Sequence, residues 1–177
     1  MAGYSRGNPS MGDVLRTVVV LSAIVLGVWG VGQFFAVSPD EPTSEVDWRT
    51  AAGGIEPRAG FVPLVPDELP AGWRATRAEL VEGRWQLGLV TADEEYVGLT
   101  QRPGDAADLR RLVDDRAPDS EVEGTERIGG RAWQESTTPG GDRTFARVVD
   151  SQAVVVTGSA PRAELIDFVA SLVRYSP

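Results

Sequence analysis

The longest apolar run in the chain is Thr17 to Pro39, TVVVLSAIVLGVWGVGQFFAVSP, and it carries no charge. As a helix rising 1.5 Å per residue it would reach roughly 34 Å, against a hydrocarbon core of about 30 Å. The run therefore predicts a single membrane-spanning helix. A cleavable signal peptide would have a shorter apolar core and a small-x-small cleavage site. The candidate here, Ala36-Val37-Ser38, is followed by Pro39, a poor residue after a cleavage point. Arg6 and Arg16 precede the run with one acid, Asp13, while Asp40, Glu41, Glu45 and Asp47 follow it before Arg49. Arginine in short flanks stays cytoplasmic, so the amino terminus is expected inside and the rest of the chain outside.

The remaining pattern predicts four segments. Residues 1–16 are polar and read as a cytoplasmic tail, 17–39 as the membrane helix, 40–60 as a tether and 61–177 as one extracytoplasmic domain. Trp48 and Ile55 interrupt the tether, which suggests that part of it docks. Phe61 to Pro66 is apolar but rich in proline, and so predicts an extended lead-in segment rather than a central strand. Strands are expected over Trp73 to Val81, Arg84 to Thr91 and Tyr96 to Gln101. Within them Trp85, Leu87 and Leu89 alternate onto one face. Asp105 is the expected N-cap of a helix carrying Leu109, Leu112 and Val113. Further strands are expected over Val122 to Ile128, Arg131 to Thr137, Thr144 to Val149 and Ala153 to Thr157. A last helix is expected from Pro161 to Arg174. The order predicts an α+β domain of two strand-strand-strand-helix halves, sharing one antiparallel sheet with both helices packed on a single face.

Composition narrows the chemistry. Net charge is -9, and the portion from residue 40 onward carries 25 acids against 15 Arg, which gives -10. A surface of that sign repels nucleic acid. There is no His, Cys or Lys. This removes the commonest general base, thiolate nucleophiles, Schiff bases, structural zinc sites and lipid attachment at a lipobox cysteine. No Gly-x-Ser-x-Gly, P-loop or Gly-x-Gly-x-x-Gly motif occurs. Asp93-Glu94-Glu95 could hold Ca²⁺ weakly, but it lacks the spacing of a dedicated loop. A carboxylate-dependent hydrolase is a remote alternative, since nothing singles out two of the acids. No cofactor, metal or catalytic residue is expected.

The aromatic side chains are the other candidates. Trp73 and Trp133 lie in expected strands and could line a groove for a lipid, a sugar or a partner. The plainer reading is that they belong to the core.

The pattern Asp47-Trp48-Arg49, Phe61-x-x-Leu64, Leu69-Pro70-x-Gly72-Trp73, Trp85-x-Leu87-Gly88, Tyr96-Val97-Gly98-Leu99, Trp133 and Val156-Thr157-Gly158 resembles an actinobacterial membrane-anchored family. That family is number 4245 of the domains of unknown function, and the likeness covers nearly the whole chain. The Leu-Pro-x-Gly-Trp segment and the two halves are also similar to extracytoplasmic domains of bacterial envelope proteins, some attached to sigma-factor regulators. Here the tail before the anchor is too short to fold as a regulator domain. The resemblance implies one anchor and one outer domain, and brings no catalytic residues. Together these readings predict a non-enzymatic, single-pass envelope protein that binds a protein partner through its outer domain, with a lipid- or sugar-binding role as the alternative.

Overall fold

The computed structural model describes residues 45–176. The helix expected over 17–39 and the tail before it lie outside those residues. Among the described residues no helix is long and apolar enough to cross a membrane.

The described chain opens with two short helices, α1 (Trp48–Gly53) and α2 (Ile55–Ala59). Asp47 caps α1 by accepting the Thr50 backbone N–H at 3.1 Å. Trp48 and Ile55 are both buried in the main core. This part of the expected tether is docked at the two residues that interrupt it: a Trp and an Ile on successive short helices bury enough apolar surface to hold the segment against the domain.

The chain continues through β1 (Leu64–Pro66), β2 (Arg74–Val81), β3 (Arg84–Val90), β4 (Tyr96–Pro103) and α3 (Ala106–Arg116). Then come β5 (Glu121–Ile128), β6 (Arg131–Thr137), β7 (Arg143–Val149), β8 (Gln152–Gly158), α4 (Arg162–Ala170) and β9 (Leu172–Arg174). Seven of the strands form one antiparallel sheet in the order β2-β3-β4-β8-β7-β6-β5. The second half has four strands, over the four segments where the pattern placed them, and β4 meets β8 at the centre.

The two longer helices lie on opposite faces of this sheet, not on one face as expected. Leu112 and Val113 of α3 pack with Ala146, Ala153 and Val155. Leu165, Phe168 and Val169 of α4 join Trp85, Leu99, Phe145, Val154 and Val156 on the other side. The cause is in β8: Ala153-Val154-Val155-Val156 is apolar at consecutive positions, so both of its faces need cover. Asp105 starts α3 as predicted. Its carboxylate accepts the Ala107 and Asp108 amides at 2.7 and 3.2 Å, and Asp108 returns the bond to the Asp105 amide at 3.2 Å.

The expected last helix ends early. Ser171 closes α4, its hydroxyl donating to the Phe168 carbonyl at 2.8 Å. Residues 172–174 become β9, antiparallel to β1, with Leu64 opposite Arg174 and Pro66 opposite Leu172. This small ribbon crosses the α4 face and is fixed to the sheet through Leu64. The Leu64 amide donates to Gln101 Oε1 at 2.7 Å, and the Leu64 carbonyl accepts from Trp85 Nε1 at 3.3 Å. The Gln101 side-chain amide also donates to Gln152 Oε1 and to the Val62 carbonyl. Two buried side chains thus supply the partners a proline-rich strand needs in order to lie over a sheet.

Candidate functional site

Trp73 and Trp133 do not form a shared groove. Trp73 precedes β2 and stacks on Phe168 of α4, with ring centroids 6.0 Å apart and planes at 24°. Trp133 is 3% exposed, on the inward face of β6. Behind it is a cavity of about 210 Å³, lined by Leu64, Ile128, Arg131, Trp133, Val149 and Val169 among others. It is placed where the β5–β6 turn, α4 and β1 converge on the sheet. The Arg147 guanidinium sits 5.7 Å from the Trp133 ring centroid. In register, Arg147 stands opposite Val154, one inward position before Val149. Burial, and next the charge of Arg131, pushes the Arg147 pKa down.

The carboxylates are engaged elsewhere. Glu135, 6% exposed, accepts from Arg162 Nε and Nη2 at 2.8 and 2.7 Å and from Arg143 at 2.9 Å. Arg162 also reaches Glu126 at 2.6 Å, and Arg143 reaches Glu123 at 2.9 Å. This network pins the start of α4 to the β5–β7 part of the sheet. The Arg162 hydrogen bonds hold the Glu135 carboxyl below the usual glutamate range, although burial alone would raise it. Glu123 and Glu126 are lowered too, by hydrogen bonds from Thr137 and Arg162 respectively. A general acid needs the opposite shift.

In the Asp93-Glu94-Glu95 turn, Arg74 holds Glu94 in a two-pronged contact at 2.7 and 3.0 Å, and Glu95 accepts from the Ser159 hydroxyl. Among the described residues no group of three acidic side chains is placed to hold a metal ion.

The Glu135 network makes a prediction about pH. The folded carboxyl titrates below the ordinary glutamate range, so as pH falls into that range the unfolded chain binds more protons than the folded one. Stability contributed by Glu135 is therefore full above about pH 4.5 and is lost as pH falls through the folded value. Glu135→Gln should cost about 1–3 kcal/mol at pH 7, because it removes the negative charge that two guanidinium groups share and sets an amide N–H against an Arg162 donor that had a carboxylate oxygen. It should also flatten part of the fall in Tm between pH 5 and 3; Glu123 and Glu126 keep the remainder. Thermal unfolding of both proteins across that range checks it.

The outer edge of the sheet is the other notable feature. β5 pairs only with β6, and among the described residues no backbone group bonds to its other side. Val122 is 63% exposed there. Beside it a groove of about 220 Å³ runs between β5 and α3, with Leu109, Val113, Val122 and Gln134 in its walls.

Neither Val122 nor Arg147 is singled out by the hydropathy pattern as a functional residue. Each nonetheless breaks the alternation of its strand. Val122 is the apolar side chain in the polar run from Glu121 to Arg127. Arg147 is a charge between Phe145 and Val149 on the inward face of β7.

The fold and these features define an α+β domain built on an antiparallel sheet, with an uncovered edge strand and a small cation-flanked cavity. The family model described as Protein of unknown function (DUF4245) matches residues 6–172, and the chain belongs to that family. No curated protein and no solved structure matches the chain.

Proposed function

We propose that this is a single-pass membrane protein whose exported domain binds another protein of the cell envelope, using the β5 edge and the groove beside it. The observation that carries this reading is the uncovered edge, with Val122 63% exposed at the rim of a groove walled by Leu109 and Val113. A free edge invites strand pairing; here a bulge at Val122–Gly124 bends the start of β5 and leaves Thr125 to Ile128 as its regular part. Here an extended segment of a partner would add to the sheet and place an apolar side chain in the groove. The uncharged run over 17–39 and its flanking charges support the anchor and the outside location of the domain. The absence of His, Cys and Lys, and the engagement of Glu94, Glu123, Glu126 and Glu135 by arginine, support binding over catalysis.

The test is Thr125→Pro. The two-residue turn at Gly129-Gly130 makes Ile128 and Arg131 a bonded pair, so the amides of Arg127 and Thr125 point away from β6. The Arg127 amide is indeed taken by Glu126 Oε1 at 3.0 Å. Proline at 125 removes an outward donor and leaves the ladder to β6 intact. Co-isolation of the partner after mild detergent extraction should drop at least tenfold, with thermal unfolding unchanged. Wild-type protein recovered alone, or a partner held equally by the variant, contradicts the proposal.

A second reading, a domain that binds a small ligand, is favoured by the cavity behind Trp133, which is on the other face of the sheet.

A further inference from the structure

We propose, on the reading that the partner binds at the β5 edge, that the strand it adds runs antiparallel to β5 and has a fixed charge order. From its amino end it carries an acidic residue, an apolar residue four positions later and a basic residue two positions after that. The two edges of the sheet differ. At the β2 edge the Ala75 carbonyl accepts the Val46 amide at 2.9 Å, so the chain's own amino-terminal segment takes up that side. Among the described residues nothing does the same for β5. Every pairing in the seven-stranded sheet is antiparallel, and an antiparallel ladder is the more stable per residue.

Charge gives the order. Along β5 the start carries Glu121 and the far end Arg127. The opposite wall of the groove repeats this. Arg110 and Asp114 both line it, one helical turn apart. Helix α3 leads into β5 through residues 117–120, so Asp114 is nearer the Glu121 end than Arg110 is. Asp119 and the negative pole of α3 add to the acidic end. Among the described residues Arg110, Arg127, Asp114, Asp119 and Glu121 make no ion pair, whereas the neighbouring Arg111 and Asp115 are held by Asp108 and Arg84. Both walls thus run from positive to negative in the same direction. An antiparallel strand meets the positive end first, so its acidic residue precedes its basic one.

Register gives the spacing. Arg127 stands opposite Ala132 and Val122 opposite Ser136, so the two are four residues apart when measured on a paired strand. An even spacing keeps side chains on one face. An acidic residue beside Arg127 therefore shares its face with the residue beside Val122, which meets Leu109 and Val113 across the groove and is apolar. The groove of about 220 Å³ takes one aliphatic side chain there. Two residues further on the same face, the chain reaches the Asp114 end, where a basic side chain fits. A second copy of β5 does not match this order: its exposed apolar residue, Val122, lies between Glu121 and Glu123 and not before a basic residue.

The experiment uses the full chain in a neutral maltoside detergent and two fluorescent peptides of the same composition. One is Glu-Thr-Val-Thr-Leu-Thr-Lys and the other has its Glu and Lys exchanged; both are blocked at their ends. Fluorescence anisotropy should show the first binding at least about fivefold more tightly than the second, with the gap narrowing as salt is raised. Arg127→Glu, at an exposed position, should narrow the gap at least about threefold without changing thermal unfolding. Equal affinity for the two peptides, binding of neither, or a preference unchanged in Arg127→Glu would overturn the proposal. So would a dimer of the chain alone that Arg127→Glu dissolves, since the occupant would then be a second copy. The charge order and the edge itself fail differently. If Thr125→Pro removes the partner or both peptides while no preference between the peptides exists, the edge stands and the charge order alone is wrong. If Thr125→Pro leaves partner and peptides bound as before, the edge is wrong as well.

Discussion

Trp85→Ala should destabilise the domain by about 4 kcal/mol, the largest single effect expected from a side-chain truncation here. Trp85 is fully buried on β3, on the face that also carries Leu87 and Leu89. The loss has two parts. A cavity the size of an indole opens between the sheet and the β1–β9 ribbon, and the Leu64 carbonyl loses its Nε1–H donor. Trp85→Phe separates the two. It keeps most of the packing and removes the donor, so it should cost about 1–3 kcal/mol, the penalty of a buried carbonyl without a partner. Urea unfolding of both variants, followed by far-ultraviolet circular dichroism, reads the difference. Equal losses for the two substitutions would mean that the hydrogen bond to Leu64 carries the whole effect and the packing none.

Gly158→Ala should cost about 3 kcal/mol, although it adds only a methyl group. Gly158 ends β8 opposite Val97, and a Cβ there would overlap the carbonyl oxygen of Tyr96 in the backbone of β4. Neither strand can give way, because both are at the centre of the sheet and are bonded on both sides. Gly98→Ala is the internal control. The three nearest atoms its Cβ would meet all belong to the outer part of the Tyr96 ring, a half-exposed side chain and not backbone. That variant should lose about 1 kcal/mol or less, near the centre of the range for single substitutions. Comparable losses at both positions would show that β4 and β8 tolerate separation, and that the close approach at Gly158 is not a constraint.

The β2–β8 strands were legible because most of them alternate or run apolar and all lie between recognisable turns, as at Glu82-Gly83 and Gly129-Gly130. Helix α3 was legible from Asp105 and the spacing of Leu109, Leu112 and Val113. What local pattern did not show came from contacts distant in sequence. Leu172 and Val173 continue the helical spacing of α4, yet pairing with Pro66 and Val65 takes them into β9. Trp48 and Ile55 lie in a stretch of Pro, Gly and charge, and only the three-dimensional fold brings a core within their reach. The opposite placement of α3 and α4 could have been inferred. The run Ala153 to Val156 is apolar without alternation, which is how a strand buried on both faces reads. The candidate sites were less legible. Trp73 is rare and large, which draws notice, but its ring belongs to the packing around α4. The cavity beside Trp133 depends on Ile128, Val149 and Val169, ordinary residues in sequence that come together only where strand register and α4 place them.

The measurement that tests the central claim most directly is photo-crosslinking in intact cells, at native expression level, from a crosslinker placed at Thr125 on the β5 edge. Crosslinkers at Arg58 on α2 and at Arg110 on α3 serve as references. The account predicts one discrete protein partner, captured from Thr125 at several times the yield from Arg58, with Arg110 beside the groove falling between them. Capture no stronger from Thr125 than from Arg58, or capture of cytoplasmic proteins from that position, would contradict it.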